Sequence, residues 1–210
     1  MNKSVKFWAY VGIGIIALLL ILSFIFAKPF AKQSDTENNP LAAYLSEQDT
    51  IMSDMMENMT VESSGNSSLD FLKGMIPHHE AAIDMAGSYL KHGGTNDKLK
   101  ELAKNIIDVQ SGEIEDMQQL IKEIEADGKT DKNMEQEYLN AYNQMISGHT
   151  QMDHGTSSYS DVEHAFTEGM IMHHQMAIDM ARAVLDYTDY KEVRHLAEGN
   201  RRVSDHHGLL

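Results

Sequence analysis

The sequence predicts an all-α protein: an antiparallel helical bundle made of two internal repeats, preceded by an N-terminal transmembrane helix. Three observations lead to this prediction. Residues 71–90 (FLKGMIPHHEAAIDMAGSYL) and 166–185 (FTEGMIMHHQMAIDMARAVL) are identical at twelve of twenty positions, which marks an internal repeat. Apolar residues recur with the helical period of about 3.6, and no stretch shows the alternation of a strand. Residues 7–27 contain no charged residue.

The first element is this uncharged stretch at 7–27, which has 21 positions. At about 1.5 Å per residue, such a helix reaches about 31 Å, enough to cross the core of a lipid bilayer. The rival interpretation is a cleaved signal peptide, whose apolar region is shorter and ends at a small-residue cleavage site. The sequence FAKPF at 26–30 is a poor cleavage site. We therefore expect residues 1–27 to anchor a single-pass cell-membrane protein whose C-terminal domain is extracytoplasmic.

The rest of the chain divides into a linker and one domain. Residues 28–40 (KPFAKQSDTENNP) are polar, with proline near each end, and we expect a flexible linker there. Residues 41–210 are enough for one helical domain with its own core, with repeat one at 41–126 and repeat two at 132–205. The helices predicted in them are 41–62, 69–91 with Ser68 as N-cap, 98–126 with Gly128 as C-cap, 132–148, 161–187 and 189–203.

The composition excludes several classes of partner and of site. All 32 acidic residues follow residue 27, together with 15 of the 17 basic ones. Such an excess of negative charge argues against nucleic acid as a partner, and it attracts cations. The chain has no cysteine, so disulfides and thiolate metal sites are excluded. Fifteen methionines against six phenylalanines and one tryptophan are an unusual choice of apolar residue.

The repeated segment places two histidines and a methionine on one helix face. Met75 lies three and four residues before His78 and His79, and the second copy repeats this spacing with Met170, His173 and His174. In a helical projection, the first histidine of each pair lies at the centre of the buried face, and the second lies at its edge. Thioether and imidazole ligands favour Cu(I) over Mg²⁺, Ca²⁺ or Mn²⁺. The edge histidine is then the more accessible metal position.

A structural role is the alternative for the same residues. The central histidines would then form hydrogen bonds to buried partners such as Gln110 and fix the packing of the helices. Possible accessory ligands lie outside the repeated segment, and a core role is the simpler explanation for those of the first helix. They are Met52, Met55, Met56 and Met59 of that helix, and Met152 and His154 of the loop at 149–160.

No motif points to an enzyme. The sequence His79-Glu80-Ala81-Ala82-Ile83 begins like a zinc-protease helix, but isoleucine stands where the second histidine is required. One Glu-x-x-His pattern occurs at 192–195, and repeat one has no matching partner, which a di-iron bundle would need. Neither a phosphate-binding loop nor a nucleophile elbow is present. We therefore expect binding without catalysis.

The motif Gly-Met-Ile-x-His-His-x-x-Ala-Ile-x-Met-Ala, followed by LAKNII at 102–107 and QSGEIEDM at 110–117, resembles the family known as domain of unknown function 305. The resemblance covers about residues 41–205. It implies a ferritin-like helical bundle, and some exported members of the family are described as copper binders. Carried over by position, it implies a metal role for Met75, His78, His79, Met85, Met170, His173, His174 and Met180. The segment 199–210 departs from the pattern, because it is polar and basic and has His207 in place of Glu113.

The resulting hypothesis is an extracytoplasmic protein that binds copper, as Cu(I), for sequestration or delivery. The alternative is a structural or protein-interaction domain at the cell surface without a metal. The lipid bilayer is the expected partner of residues 7–27, and the sequence identifies no protein partner.

Overall fold

The computed structural model of the chain describes residues 39–93, 96–151 and 159–205. These residues form helices and connecting turns and contain no strand, so the all-α prediction is confirmed for them. The six helices are α1 Pro40–Asn58, α2 Ser67–His92, α3 Asp97–Asp127, α4 Lys132–Gln151, α5 Val162–Val184 and α6 Lys191–Asp205.

Side-chain caps fix the helix starts. The predicted N-cap of α2, Ser68, is wrong: the Asn66 side chain accepts from the main-chain N–H groups of Ser68 and Leu69. The Ser68 hydroxyl instead lies 2.7 Å from the Thr188 hydroxyl, in the turn between α5 and α6. At the other end of repeat one, Gly128 has the left-handed φ of 66° and ends α3 as predicted.

The duplicated helices α2 and α5 lie at the centre of the bundle. Helix α2 packs against α1 and α3, while α5 packs in the same way against α4 and α6. Between α2 and α5, His78 contacts His173, and Gly169 lies against the Met85 side chain. Since the contact positions rise along one helix as they fall along the other, α2 and α5 run antiparallel. Equivalent residues of the two copies therefore meet near the middle of the bundle.

The glycine of the repeated motif allows a close approach in the first copy. A side chain at Gly74 would meet the Tyr142 hydroxyl, which would lie 2.7 Å from the added Cβ. Tyr142 is buried and donates a hydrogen bond to the carbonyl of Met59 at 2.8 Å. Gly74 thus lets α4 reach across α2 to the end of α1.

None of the helices in the described ranges is both long and apolar enough to cross a membrane. The predicted anchor at 1–27 lies outside these ranges, as does the linker except for its last two residues. Met152, His154 and residues 206–210 also lie outside them.

Candidate metal site

The two central histidines bond to each other's main chain. His78 Nε2–H donates to the carbonyl of His173 at 3.0 Å, and His173 Nε2–H donates to the carbonyl of His78 at the same distance. Their ring centroids are 3.7 Å apart, and both residues are buried. This reciprocal pair, the His78–His173 pair, places a local two-fold axis between α2 and α5. The partner is the opposite histidine and not Gln110, which is buried in α3 with its Oε1 atom unpaired among the described residues.

The two edge histidines also have matching contacts. His79 Nδ1–H donates to the carbonyl of Met75 at 3.1 Å, and His174 Nδ1–H donates to the carbonyl of Met170 at 2.8 Å. Both side chains are only 5% exposed, so the prediction that the edge histidines are accessible is wrong. A projection of a single helix omits its neighbours, and these neighbours cover the edge of the face.

These contacts fix where each ring carries its proton. A carbonyl oxygen can only accept, so the ring nitrogen facing it must be the protonated one. The other nitrogen of a neutral ring then holds a lone pair. Three such nitrogens are buried without a hydrogen-bond partner among the described residues: His78 Nδ1, His173 Nδ1 and His174 Nε2.

The fourth ring nitrogen that does not face a carbonyl, His79 Nε2, has a carboxyl group as its partner. His79 Nε2 lies 3.0 Å from Glu113 Oε2, and both residues are buried. A ring lone pair and a carboxylate oxygen repel unless one proton lies between them. The position of repeat two that aligns with Glu113 is His207, which lies outside the described residues.

Burial keeps the unpartnered imidazoles neutral. Desolvation lowers the pKa of His78 and His173 well below the ordinary value of 6.5, and neighbouring imidazoles act in the same direction. Desolvation also lowers the pKa of His174, to about 4, although its hydrogen bond to the Met170 carbonyl opposes the shift. At neutral pH these rings are in the form that ligates metal ions.

The four predicted methionine ligands are buried and are divided between two core clusters. Met75 and Met180 belong to one cluster, and Met85 and Met170 belong to the other. Each cluster contains one of these methionines from each copy, which agrees with the antiparallel crossing of α2 and α5. Thioether groups therefore lie in both core clusters that these helices contribute to.

The methionines of α1 belong to the core. Met55 and Met59 are buried, while Met52 and Met56 are partly buried and pack against the same apolar cluster. Gap-filling by flexible side chains explains this set without a metal.

A family comparison complements this geometry. The model of a family described as a domain of unknown function, DUF305, matches residues 31–121 and, in an overlapping match, 68–202. The chain belongs to the DUF305 family. Its DUF305 matches include both His-His segments, so the resemblance drawn from these motifs is confirmed. No curated protein and no solved structure matches the chain.

Glu113 is the site residue that the sequence interpretation missed. It lies in the DUF305 motif QSGEIEDM, three residues after Gln110 and seven after Ile106 on the buried face of α3. A charged residue at such a position signals a buried partner, because an unpaired carboxylate is costly to bury. That signal was present in the sequence, but only the fold identifies His79 as the partner.

The donor set does not form a site from imidazole and carboxylate groups alone. In the part of the chain that the structure describes, no three His, Cys, Asp or Glu side chains are grouped so that they could hold a metal ion. Met75 and Met170 are buried one helical turn before the histidines of their own helices. Imidazole and thioether are donors that soft ions such as Cu(I) favour over hard divalent cations.

Proposed function

We propose that this DUF305 protein binds a soft monovalent metal ion, Cu(I), through buried imidazole nitrogens and methionine sulfurs, and that it sequesters or delivers the ion. One observation carries the proposal: His78 Nδ1, His173 Nδ1 and His174 Nε2 are buried lone pairs without a partner among the described residues. Leaving a buried acceptor unpaired costs about 1–3 kcal/mol. A bound ion would accept these electron pairs and offset that cost.

The hydrogen bonds of the histidines support the proposal. Metal-ligating histidines usually donate their second ring N–H to a carbonyl or carboxylate, which fixes the tautomer and the ring orientation. His78, His173 and His174 each donate such a bond to a main-chain carbonyl. The chain thus holds these rings in a form suited to ligation before any ion arrives.

The two repeats would contribute unequally. His79 Nε2 is already engaged by Glu113, whereas His174 Nε2 is unpartnered among the described residues. We therefore propose His174 as the first imidazole ligand, with His78 and His173 available if their rings rotate or separate. Met75, Met85, Met170 and Met180 are the candidate thioether ligands. Met172 is the exposed methionine of this segment, at 43%, and is placed to meet an arriving ion.

A structural role is the second candidate, and a specific observation favours it. The His78–His173 pair joins the two central helices with two hydrogen bonds and a ring contact, which is enough to explain why these two histidines are buried. On this alternative, the unpartnered nitrogens are a consequence of forming the His78–His173 pair, and the domain binds no metal.

We also propose the cellular setting from the sequence. Residues 7–27 would anchor the protein in the cell membrane, with the bundle on the extracytoplasmic side and with ferritin-like topology. Protease treatment of intact cells would test this: the bundle should be digested while a membrane-protected fragment remains.

The metal proposal is tested by titrating the detergent-solubilised full chain with Cu(I) against a competing chelator, and with Ag(I) as a redox-inert substitute. The paired substitution Met75→Leu with Met180→Leu removes two sulfurs and keeps apolar side chains of similar volume. His174→Ala removes one unpartnered nitrogen and leaves the His78–His173 pair intact. We expect each variant to weaken binding at least about tenfold, which corresponds to about 1.4 kcal/mol.

The control is His195→Ala, an exposed histidine of α6, which should bind like the original protein. Folding of each variant is checked by circular dichroism and thermal unfolding. Equal binding by Met75→Leu/Met180→Leu, His174→Ala and the control would reject these residues as ligands. Absence of any stoichiometric binding would leave the structural role.

A further inference from the structure

A second buried polar group lies at the start of α2, outside the histidine cluster. Asp70, in the first turn of α2, is fully buried, and Glu135, in the first turn of α4, is 3% exposed. Asp70 Oδ1 accepts from the Ser64 N–H at 3.1 Å. Glu135 Oε1 accepts from the Ser63 hydroxyl at 2.9 Å and from the Gly65 N–H. Both acids thus bind the same short segment between α1 and α2.

The two carboxyl groups accept from the main-chain N–H groups of adjacent residues, Ser64 and Gly65, so they lie beside each other. Asp70 Oδ2 has no donor to pair with among the described residues. Two carboxylate oxygens can form a hydrogen bond only if a proton lies between them. A shared proton satisfies the unpaired oxygen and removes the repulsion of two buried negative charges.

The groups around the pair come from α4 and from two turns of the bundle. The titratable neighbour on α4 is Tyr138, which interacts with Asp70 and is itself buried. From the turn between α5 and α6, the groups that reach the start of α2 are uncharged: the Tyr187 carbonyl, bonded by Ser67, and the Thr188 hydroxyl. From the turn between α3 and α4, Lys129 and Asp131 approach with main-chain atoms.

We propose that Asp70 and Glu135 share one proton and form a pH-sensitive latch that holds the 63–66 segment and the start of α4 against the first turn of α2. The latch joins three connections of the bundle at one point. Asp131 N–H donates to the Gly65 carbonyl at 2.9 Å, so the turn between α3 and α4 is fixed to the same segment. Opening the latch releases the start of α4, the helix that leads toward Met152 and His154.

The direction of the pH response follows from the two carboxyl groups. Burial raises the pKa of Asp70 to about 6, and the nearby Glu135 adds to the rise. Burial opposes ionisation of Glu135 as well, but hydrogen bonds from Asp70, Gly65 and Ser63 outweigh it and lower its pKa. The contribution of Asp70 is therefore present below its unfolded pKa and is lost as pH rises through about 6. The latch is closed in mild acid and weakens above pH 6.

Amide hydrogen exchange on the full chain tests the latch. We expect the Gly65 and Asp131 amides, corrected for intrinsic exchange rates, to be roughly tenfold more protected at pH 5 than at pH 7.5, the change that one unit of pKa shift produces. Asp70→Asn supplies an amide that donates to Glu135 at every pH, while its oxygen still accepts from Ser64. Protection in that variant should be high and equal at both pH values.

Asp108→Asn, at an exposed position of α3, is the matched control and should keep the pH dependence of the original protein. Equal protection of the original protein at pH 5 and pH 7.5 would overturn the proposal, as would an Asp70→Asn variant that keeps the pH dependence. Addition of millimolar Ca²⁺ or Mg²⁺ at pH 7.5 is the third measurement. If either ion raises protection in the original protein to the level of Asp70→Asn, the pair is a cation site and the proton latch is wrong.

Discussion

The two His-His segments share twelve of twenty residues and the same main-chain contacts, yet their edge histidines differ. In both copies the edge ring donates Nδ1–H to the carbonyl four residues earlier. In repeat one, Nε2 of that ring meets Glu113; in repeat two, Nε2 of His174 has no partner among the described residues. The repeated segment therefore sets the orientation of the rings, while Glu113 of α3 gives His79 a partner that His174 does not have among the described residues.

Helix α3 brings Glu113 to His79. The aligned position of repeat two, His207, lies outside the described residues. A duplicated motif thus need not form two equal sites. Among the described residues, His174 Nε2 of the second copy has no partner, whereas His79 Nε2 of the first copy contacts Glu113.

Acid should disturb the whole histidine cluster and produce the largest effect. The folded-state pKa of His174 is lowered from 6.5 to about 4, so the unfolded chain takes up its proton first as pH falls. For His174, the free energy of unfolding should fall by about 2 kcal/mol between pH 7.5 and pH 5. His78 and His173, whose pKa values are also lowered, add losses of the same sign.

Urea unfolding at several pH values measures this loss. His174→Gln should reduce the pH dependence by about one proton, because glutamine does not titrate. The Asp70–Glu135 latch acts in the opposite direction over the same range, so the Asp70→Asn background isolates the histidine contribution. A stability that rises steadily from pH 7.5 to pH 5 in that background would contradict the assignment of neutral buried histidines.

Removal of one ring of the His78–His173 pair should have the next largest effect. His78→Ala or His173→Ala creates a cavity and leaves the opposite carbonyl without its donor. We expect each to lower the free energy of unfolding by about 2–4 kcal/mol, a range set by large-to-small core substitutions and by the loss of a buried hydrogen bond.

The double variant shows whether the two copies act as one unit. Because the rings are in contact, the loss in His78→Ala/His173→Ala should be smaller than the sum of the single losses. Additive losses would mean that the two histidines stabilise α2 and α5 independently. The description of the His78–His173 pair as one unit would then be wrong. Urea unfolding of the original protein, the two single variants and the double variant in one buffer measures these losses.

The sequence predicted the helices and the burial of the central histidines well, because helical periodicity depends on the backbone and on the spacing of apolar residues. It placed Gly128 at the end of α3 for the same local reason. It did not predict the partner of His78, the burial of His79 or the role of Glu113. These depend on which helices lie side by side, and no single-helix projection contains that information.

Glu113→Ala should give the smallest effect and the most direct test of the comparison between the copies. The substitution leaves His79 Nε2 unpartnered, as His174 Nε2 is in repeat two, and should lower the free energy of unfolding by about 1–3 kcal/mol. If the proposed function is correct, the freed nitrogen should also strengthen Ag(I) binding, since repeat one then offers the same open position as repeat two. Glu113→Gln, whose amide can donate to His79, is the matched control and should bind like the original protein. Weaker Ag(I) binding in the alanine variant alone would show instead that Glu113 supports the site, and that the two copies differ for a reason other than competition for His79.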